Sequence, residues 1–324
     1  MVIYTVIRVI FISGVAISIA PLGAARPEYV YLSGTVLAIV FASTVATTSI
    51  SRSGGRVIRL LLVIVATTVA YLLLQAVWMA GNPMANPVWG AVAENLGFSG
   101  GAVSIAPGVT LRSIPGVAVP FLVFGTALLL SRDDVEGLRT WRALALLGIT
   151  VPLFGLLRYL AFPNMRLFDQ TFLDPTVVTS VFVNRNNAAT FFGLASLAAL
   201  GWLFWQTSQP GRTRSPRTPS QPGLAFLERH TGILLTTLVL LATLVALFLT
   251  RSRAGIVLSF ASLLAALLGI IHTSRWRDVG PVGRWTATGT VILAAFAVFS
   301  LFGGQTLLRV ETSGYDEGRA CLYR

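Results

Sequence analysis

Apolar runs recur along the whole chain, separated by short segments that hold most of its charge. About twenty apolar residues cross the hydrocarbon of a bilayer as a helix. By that measure hydropathy predicts nine spans, at about 2–22, 30–50, 57–79, 114–131, 143–162, 188–206, 231–249, 256–272 and 285–303. None contains Asp or Glu, while Arg8 and Arg158 lie inside spans, where charge is costly unless it has a partner or a wet cavity. The expected fold is all-α: a polytopic transmembrane helix bundle over residues 1–305. A flexible cytoplasmic loop at 207–223, rich in Pro, Ser, Thr and Arg, interrupts it, and 306–324 opens an outer loop.

Composition agrees and narrows the classes. Hydrophobic residues make up 55% of the chain and charged ones 11%, too apolar a balance for a soluble protein of this length. The net charge of +12 is spread over short loops rather than gathered on one soluble face, which argues against nucleic acid as a partner. Arginines concentrate in the loops 51–56, 131–142, 207–230 and 273–284, so those are expected in the cytoplasm together with the N-terminus. Loop 131–142, with Asp133, Asp134 and Glu136 among arginines, reads as a solvated connector. Arg8, an apolar run and Gly23-Ala24-Ala25 also resemble a signal peptide; a retained anchor is the competing reading. Cys321 is the lone cysteine, and His230 and His272 are the two histidines, so no metal cofactor is expected. Nor is there a lysine-bearing phosphate loop for ATP. Coupled transporters commonly hold carboxylates near the midplane, and these spans carry none.

The candidate chemistry lies in the expected outer loops. Thr250-Arg251-Ser252-Arg253-Ala254-Gly255 places two guanidinium groups between long apolar runs. Ser252 fits the N-cap of the following helix, which puts Arg253 in its first turn. A cation there opposes the helix dipole, whereas a bound anion reverses the sign of that interaction. Arg185 stands in the same relation to the span beginning near residue 188. Around it, Asn184, Asn186 and Asn187 suit either capping or ligand contact. Trp78 and Trp89 fit an interfacial aromatic belt, or a surface for a sugar. The anion at hand on an outer membrane face is a lipid phosphate or diphosphate, which arginine grips with a planar fork.

These residues resemble a known family. Thr250-Arg251-Ser252-Arg253-Ala254-Gly255 is similar to the T-x-S-R-A-G turn of the bacterial O-antigen ligase and polysaccharide polymerase superfamily. Phe182-Val183-Asn184-Arg185-Asn186 resembles its F-x-N-x-N element, and Asp316-Glu317-Gly318-Arg319 the G-R opening its large outer loop. Pro87-Val88-Trp89 and Ser104-Ile105 lie in a loop similar to that of exopolysaccharide polymerases.

The resemblance implies a bundle like that of GT-C type membrane glycosyltransferases in the bacterial inner membrane. It implies transfer of a glycan from an undecaprenyl-diphosphate carrier to a sugar hydroxyl or a lipid A core acceptor at the periplasmic face, with no cofactor. Arg253 and Arg319 would then hold the diphosphate and assist its departure. Asn184 and Asn186 would shape the pocket mouth, beside Arg185 and Arg251. Ser180 and Asn187 stand where relatives often have Gly and His. The family's large loop and closing spans are expected beyond Arg319, so the resemblance implies a C-terminally truncated chain. A lipid-linked glycan flippase or an inactive fragment are the alternative readings.

Overall fold

The structure is a computed structural model that describes residues 2–20, 23, 26–48, 52–97, 100–163, 165, 176–207 and 222–271. Within them are nine helices: α1 (Val2–Ile19), α2 (Pro27–Thr47), α3 (Arg52–Ala76), α4 (Val88–Leu96), α5 (Pro107–Leu130), α6 (Asp134–Ala161), α7 (Arg185–Thr207), α8 (Pro222–Leu249) and α9 (Arg253–Ile271). Seven of these, α2, α3 and α5 to α9, are long and apolar enough to cross a membrane, so the chain has the build of a multi-pass membrane protein. The first expected span is a shorter apolar helix. The expected span at 285–303, the loop at 208–221 and the outer segment 306–324 lie outside the described residues.

Several helices begin earlier than hydropathy predicts, because polar first turns are invisible to an apolar window. Prolines at the first turns of α2 and α5 lack only a donor that a helix start leaves unused. The segment expected as a solvated connector is corrected most: from Asp134 onward it is the N-terminal part of α6. Asp133 there accepts a bond from the Glu136 N–H at 2.9 Å, in the position of a helix cap. His230 lies within α8, next to the start of its membrane-length apolar stretch, Thr231–Leu249.

The chain divides into two compact units, Met1–Leu144 and Ala145–Arg324, with the division falling inside α6. In the first unit α2 packs on α1 and α5, and α5 on α3. Close approach there is set by small residues: a Cβ on Gly125 would meet the Phe41 ring at 2.8 Å, and one on Gly14 would press on Leu37 at 3.1 Å. Arg8 of α1 pairs with Glu136 of α6, and its Nε also donates to the Thr140 hydroxyl at 3.3 Å. Arg139 completes the group with a 2.6 Å ion pair to Glu136. Nearby, the Arg132 guanidinium lies 4.2 Å over the Tyr4 ring, whose hydroxyl donates to the Thr47 carbonyl at 2.9 Å.

In the second unit α7 packs on both α8 and α9. The α7–α9 seam uses small side chains in register: Asn186 meets Ser252, Ala189 meets Gly255, and Gly193 meets Ser259. A constant offset along both helices means they run parallel. A Cβ added to Gly193 or Gly255 would land on Ser259 or Ala189, so the seam closes only with glycine at those two places. Against α8 the partners run in opposite order, Ser196 with Thr243 at 3.1 Å and Gln206 with Thr236 at 3.1 Å, so that pair is antiparallel.

Candidate functional site: two parallel helix N-termini

Parallel packing brings the starts of α7 and α9 side by side, and local sequence chemistry shapes each start. Asn184 is the α7 cap: its Oδ1 accepts from the Asn186 N–H at 2.8 Å, and its carbonyl accepts the first helical bond, from Ala188, at 3.1 Å. Ser252 is the α9 cap that its sequence position predicts. Its Oγ accepts from the Gly255 N–H at 3.3 Å, and its carbonyl from Ile256 at 2.9 Å. The two caps are joined, because the Ser252 hydroxyl donates to Asn186 Oδ1 at 2.8 Å. That bond commits the oxygen of the Asn186 amide to Ser252 and turns its two N–H donors elsewhere.

Arg185 and Arg253 therefore both occupy the first helical position, on adjacent helices that point their positive ends the same way. Both residues are exposed, as are Asn184 and Asn186, while Ser252 is buried beneath them. Arg251 differs in kind. It follows the last turn of α8, its N–H bonding the Phe248 carbonyl at 3.0 Å, and there a cation complements the dipole. Its φ of 53° is the left-handed conformation that glycine usually supplies after a helix. The Arg251 guanidinium also reaches the Thr176 hydroxyl at 3.4 Å. It is thus tied to the protein in a way that suits a structural post.

The segment before α7 is a buried strap. Val177 through Phe182 are all buried, the Val178 N–H bonds the Leu249 carbonyl at 3.0 Å, and the Ser180 hydroxyl bonds the Val151 carbonyl at 2.6 Å. Arg158, which lies inside an expected span, finds a partner there: it donates to the Ser180 carbonyl at 2.9 Å. The strap crosses α6 at Gly155, where a Cβ would sit 2.8 Å from that of Ser180. Ser180 itself has φ 54°, a second non-glycine residue in the left-handed region. The strap fixes both the C-terminal end of α8 and the approach to Asn184.

Of the residues singled out from sequence, the structure gathers Asn184, Arg185, Asn186, Arg251 and Arg253 at the neighbouring ends of α7, α8 and α9. Arg319 lies outside the described residues. Ser252 as a tie between helices, Arg158 and the strap were not anticipated as parts of the site. An arginine inside an apolar span was the visible signal for Arg158; nothing local marks a bond from Ser252 across to Asn186.

The charged side chains of the cluster are all of one sign. Within the described residues of this unit the only carboxylate is Glu228, near the other end of α8, roughly 30 Å along the helix axis. Two helix N-termini, three guanidinium groups and an amide make a site suited to an anion with several oxygens. No group of three or more potential metal ligands occurs among the described residues. Comparisons with protein-family models, with curated proteins and with solved structures returned no match.

Proposed function

We propose that this is a membrane glycosyltransferase of the O-antigen ligase and polysaccharide polymerase type, with a GT-C-like bundle in the bacterial inner membrane. It holds an undecaprenyl-diphosphate-linked glycan at the joined ends of α7 and α9. The observation that carries the reading is the Ser252–Asn186 bond between two parallel helix starts, each with arginine in its first helical position. Arginine opposes the dipole there, an arrangement that becomes favourable once a diphosphate binds.

In the reaction an acceptor hydroxyl oxygen bonds the anomeric carbon as the bond to the diphosphate breaks; the diphosphate leaves with the electron pair, and the hydroxyl proton passes to solvent water. Charge grows on the leaving oxygens, so donors held in advance at that place lower the barrier. One such donor is worth about 3–4 kcal/mol. Arg253 takes that role, with Arg319 proposed as its partner, and Asn186 supplies neutral N–H donors. Asn184 and Arg185 border the mouth. None of the side chains gathered here is a base at neutral pH. The site faces the periplasm and the N-terminus the cytoplasm.

The test uses the full chain in lipid nanodiscs with undecaprenyl diphosphate as the probe. Arg253→Ala and Arg253→Lys should each weaken binding by tenfold or more while leaving yield and elution unchanged, lysine failing because it lacks the fork. Loss of glycan transfer in membranes should follow. Wild-type binding by both variants would remove Arg253 from the site, and with it this reading.

A further inference from the structure

The connection between α3 and α5 is a small folded unit rather than a loose loop. Met79 and Gly101 exchange both backbone bonds, at 3.2 and 3.1 Å, and the Ser104 N–H reaches back to the Gln75 carbonyl at 2.9 Å. The Asn86 N–H bonds the Ala102 carbonyl at 2.9 Å, and the Trp89 indole N–H bonds the Ser104 carbonyl at 3.0 Å. Asn82 and Asn86 close turns of their own, accepting from Met84 and Val88 at 3.0 and 3.1 Å. Trp78 and Trp89 meet edge to face at 4.8 Å. Cβ atoms on Gly100 or Gly101 would collide with Met79, Trp78 or Trp89 near 2.9 Å, so the approach of the two segments depends on glycine. The unit is built, and many of its backbone groups are satisfied from within.

Its surface is unlike that of a water-facing connection. Between residues 77 and 106 the only charged residue is Glu94. Met84 is 73% exposed and Ile105 60%, with Met79 and Val88 also largely uncovered. A soluble surface scatters such residues among charges; here they stand without them. The unit also joins two helices able to cross a bilayer, and outward apolar side chains run up to its edges, Leu74 on α3 and Val109 on α5. The apolar surface of the spans thus continues onto the unit. Internally bonded backbone is what the bilayer boundary demands, since it offers little water to bond with.

We infer that residues 77–97 and 100–106 form an interfacial unit seated in the headgroup and upper acyl region of the bilayer, with α4 as its membrane-surface helix. The occupant of the exposed apolar surface is lipid. Trp78 and Trp89 serve as its anchor at the depth that tryptophan favours.

Spin labels at single cysteines test this in the full chain, with Cys321→Ser as background and reconstitution in phosphatidylcholine–phosphatidylglycerol vesicles. Met84→Cys and Ile105→Cys should collide with dissolved oxygen severalfold more often than with a water-soluble nickel chelate, like Leu74→Cys on α3. Asp134→Cys, exposed at the start of α6, should show the reverse. If both test positions behave like Asp134, the unit stands in water and the inference fails. Labels at both positions shielded from both reagents would mean protein covers the surface, which overturns it equally. Two positions keep the test open if one variant fails to fold.

Discussion

Arginine serves two opposite purposes in the two units of this chain. Arg8, in the first, is 12% exposed and is met by Glu136, 13% exposed, with Thr140 and Arg139 completing the group. Arg185 and Arg253, in the second, are exposed at helix N-termini, where the backbone already supplies positive charge. A part-buried arginine with a carboxylate is a solved problem of folding. Arginines gathered against the dipole oppose local stability, and the proposed diphosphate would reverse the sign of that interaction. Setting, not residue type, separates the two purposes.

The first unit supplies the largest expected effect. Glu136→Met leaves Arg8 inside with only the Thr140 hydroxyl and no carboxylate opposite it, and should lower stability by about 3 kcal/mol. Arg8→Met should cost less, about 1–2 kcal/mol, because Glu136 keeps Arg139 at 2.6 Å. The double variant should recover most of the loss, since an apolar pair of similar volume replaces both charges. Unfolding of purified protein in mixed detergent micelles measures all three. Additive losses would show that the pair contributes nothing as a pair, and the comparison would lose its first half.

Next in size is the tie between α7 and α9. Ser252→Ala removes the α9 cap and the bond to Asn186 together, and should cost about 1–2 kcal/mol. It should also free the Asn186 amide to rotate, so undecaprenyl diphosphate binding falls with stability. Asn186→Asp separates the two effects. Its oxygen can still accept from Ser252, and its charge suits a helix start by a few tenths of a kcal/mol, yet it should repel the diphosphate. Stability retained with binding lost would place Asn186 on the ligand side of the comparison. Unchanged binding would move it to the structural side.

These residues also mark how far the sequence was legible. Both caps follow from local spacing, as Asn184 and Ser252 bond backbone two or three residues ahead. The apolar spans follow from length, because a bilayer thickness fixes it. Three features could not be seen. Glu136 looked solvated because its partner Arg8 is distant in sequence and a hydropathy window has no knowledge of it. The Ser252–Asn186 bond depends on the parallel register of α7 and α9, which no local pattern states. The small loop unit around Trp89 is held by glycine contacts and backbone bonds whose partners lie some twenty residues apart.

Arg251 and Ser180, both left-handed, lie between the two purposes. Arg251→Gly removes a backbone strain of about 1 kcal/mol but also a cation favourable at the C-terminal end of α8, so its net effect should be near zero. Ser180→Gly and Ser180→Ala both lose the bond to Val151, and only glycine relaxes the backbone. The glycine variant should therefore be the more stable of the two, by about 1 kcal/mol less the entropy that glycine loses on folding. Equal stabilities in the same detergent titration would mean the left-handed conformation at Ser180 carries no strain.

The most informative change in stability is a small one. Arg185→Ala and Arg253→Ala each remove a cation from the first turn of a helix, where the dipole disfavours it by a few tenths of a kcal/mol. Both sites are exposed, so little packing is lost. In the absence of ligand Arg185→Ala should be as stable as the parent or slightly more so, the opposite of Arg8. With saturating undecaprenyl diphosphate the order should invert. The parent gains stability in proportion to the logarithm of ligand over Kd, about 2.7 kcal/mol at a hundredfold excess, and a variant binding tenfold more weakly gains about 1.4 kcal/mol less. Crossing stability orders with and without the lipid are the signature of residues kept for a ligand at the expense of the fold. If Arg253→Ala destabilises the ligand-free protein as Glu136→Met does, Arg253 is a structural residue like Arg8.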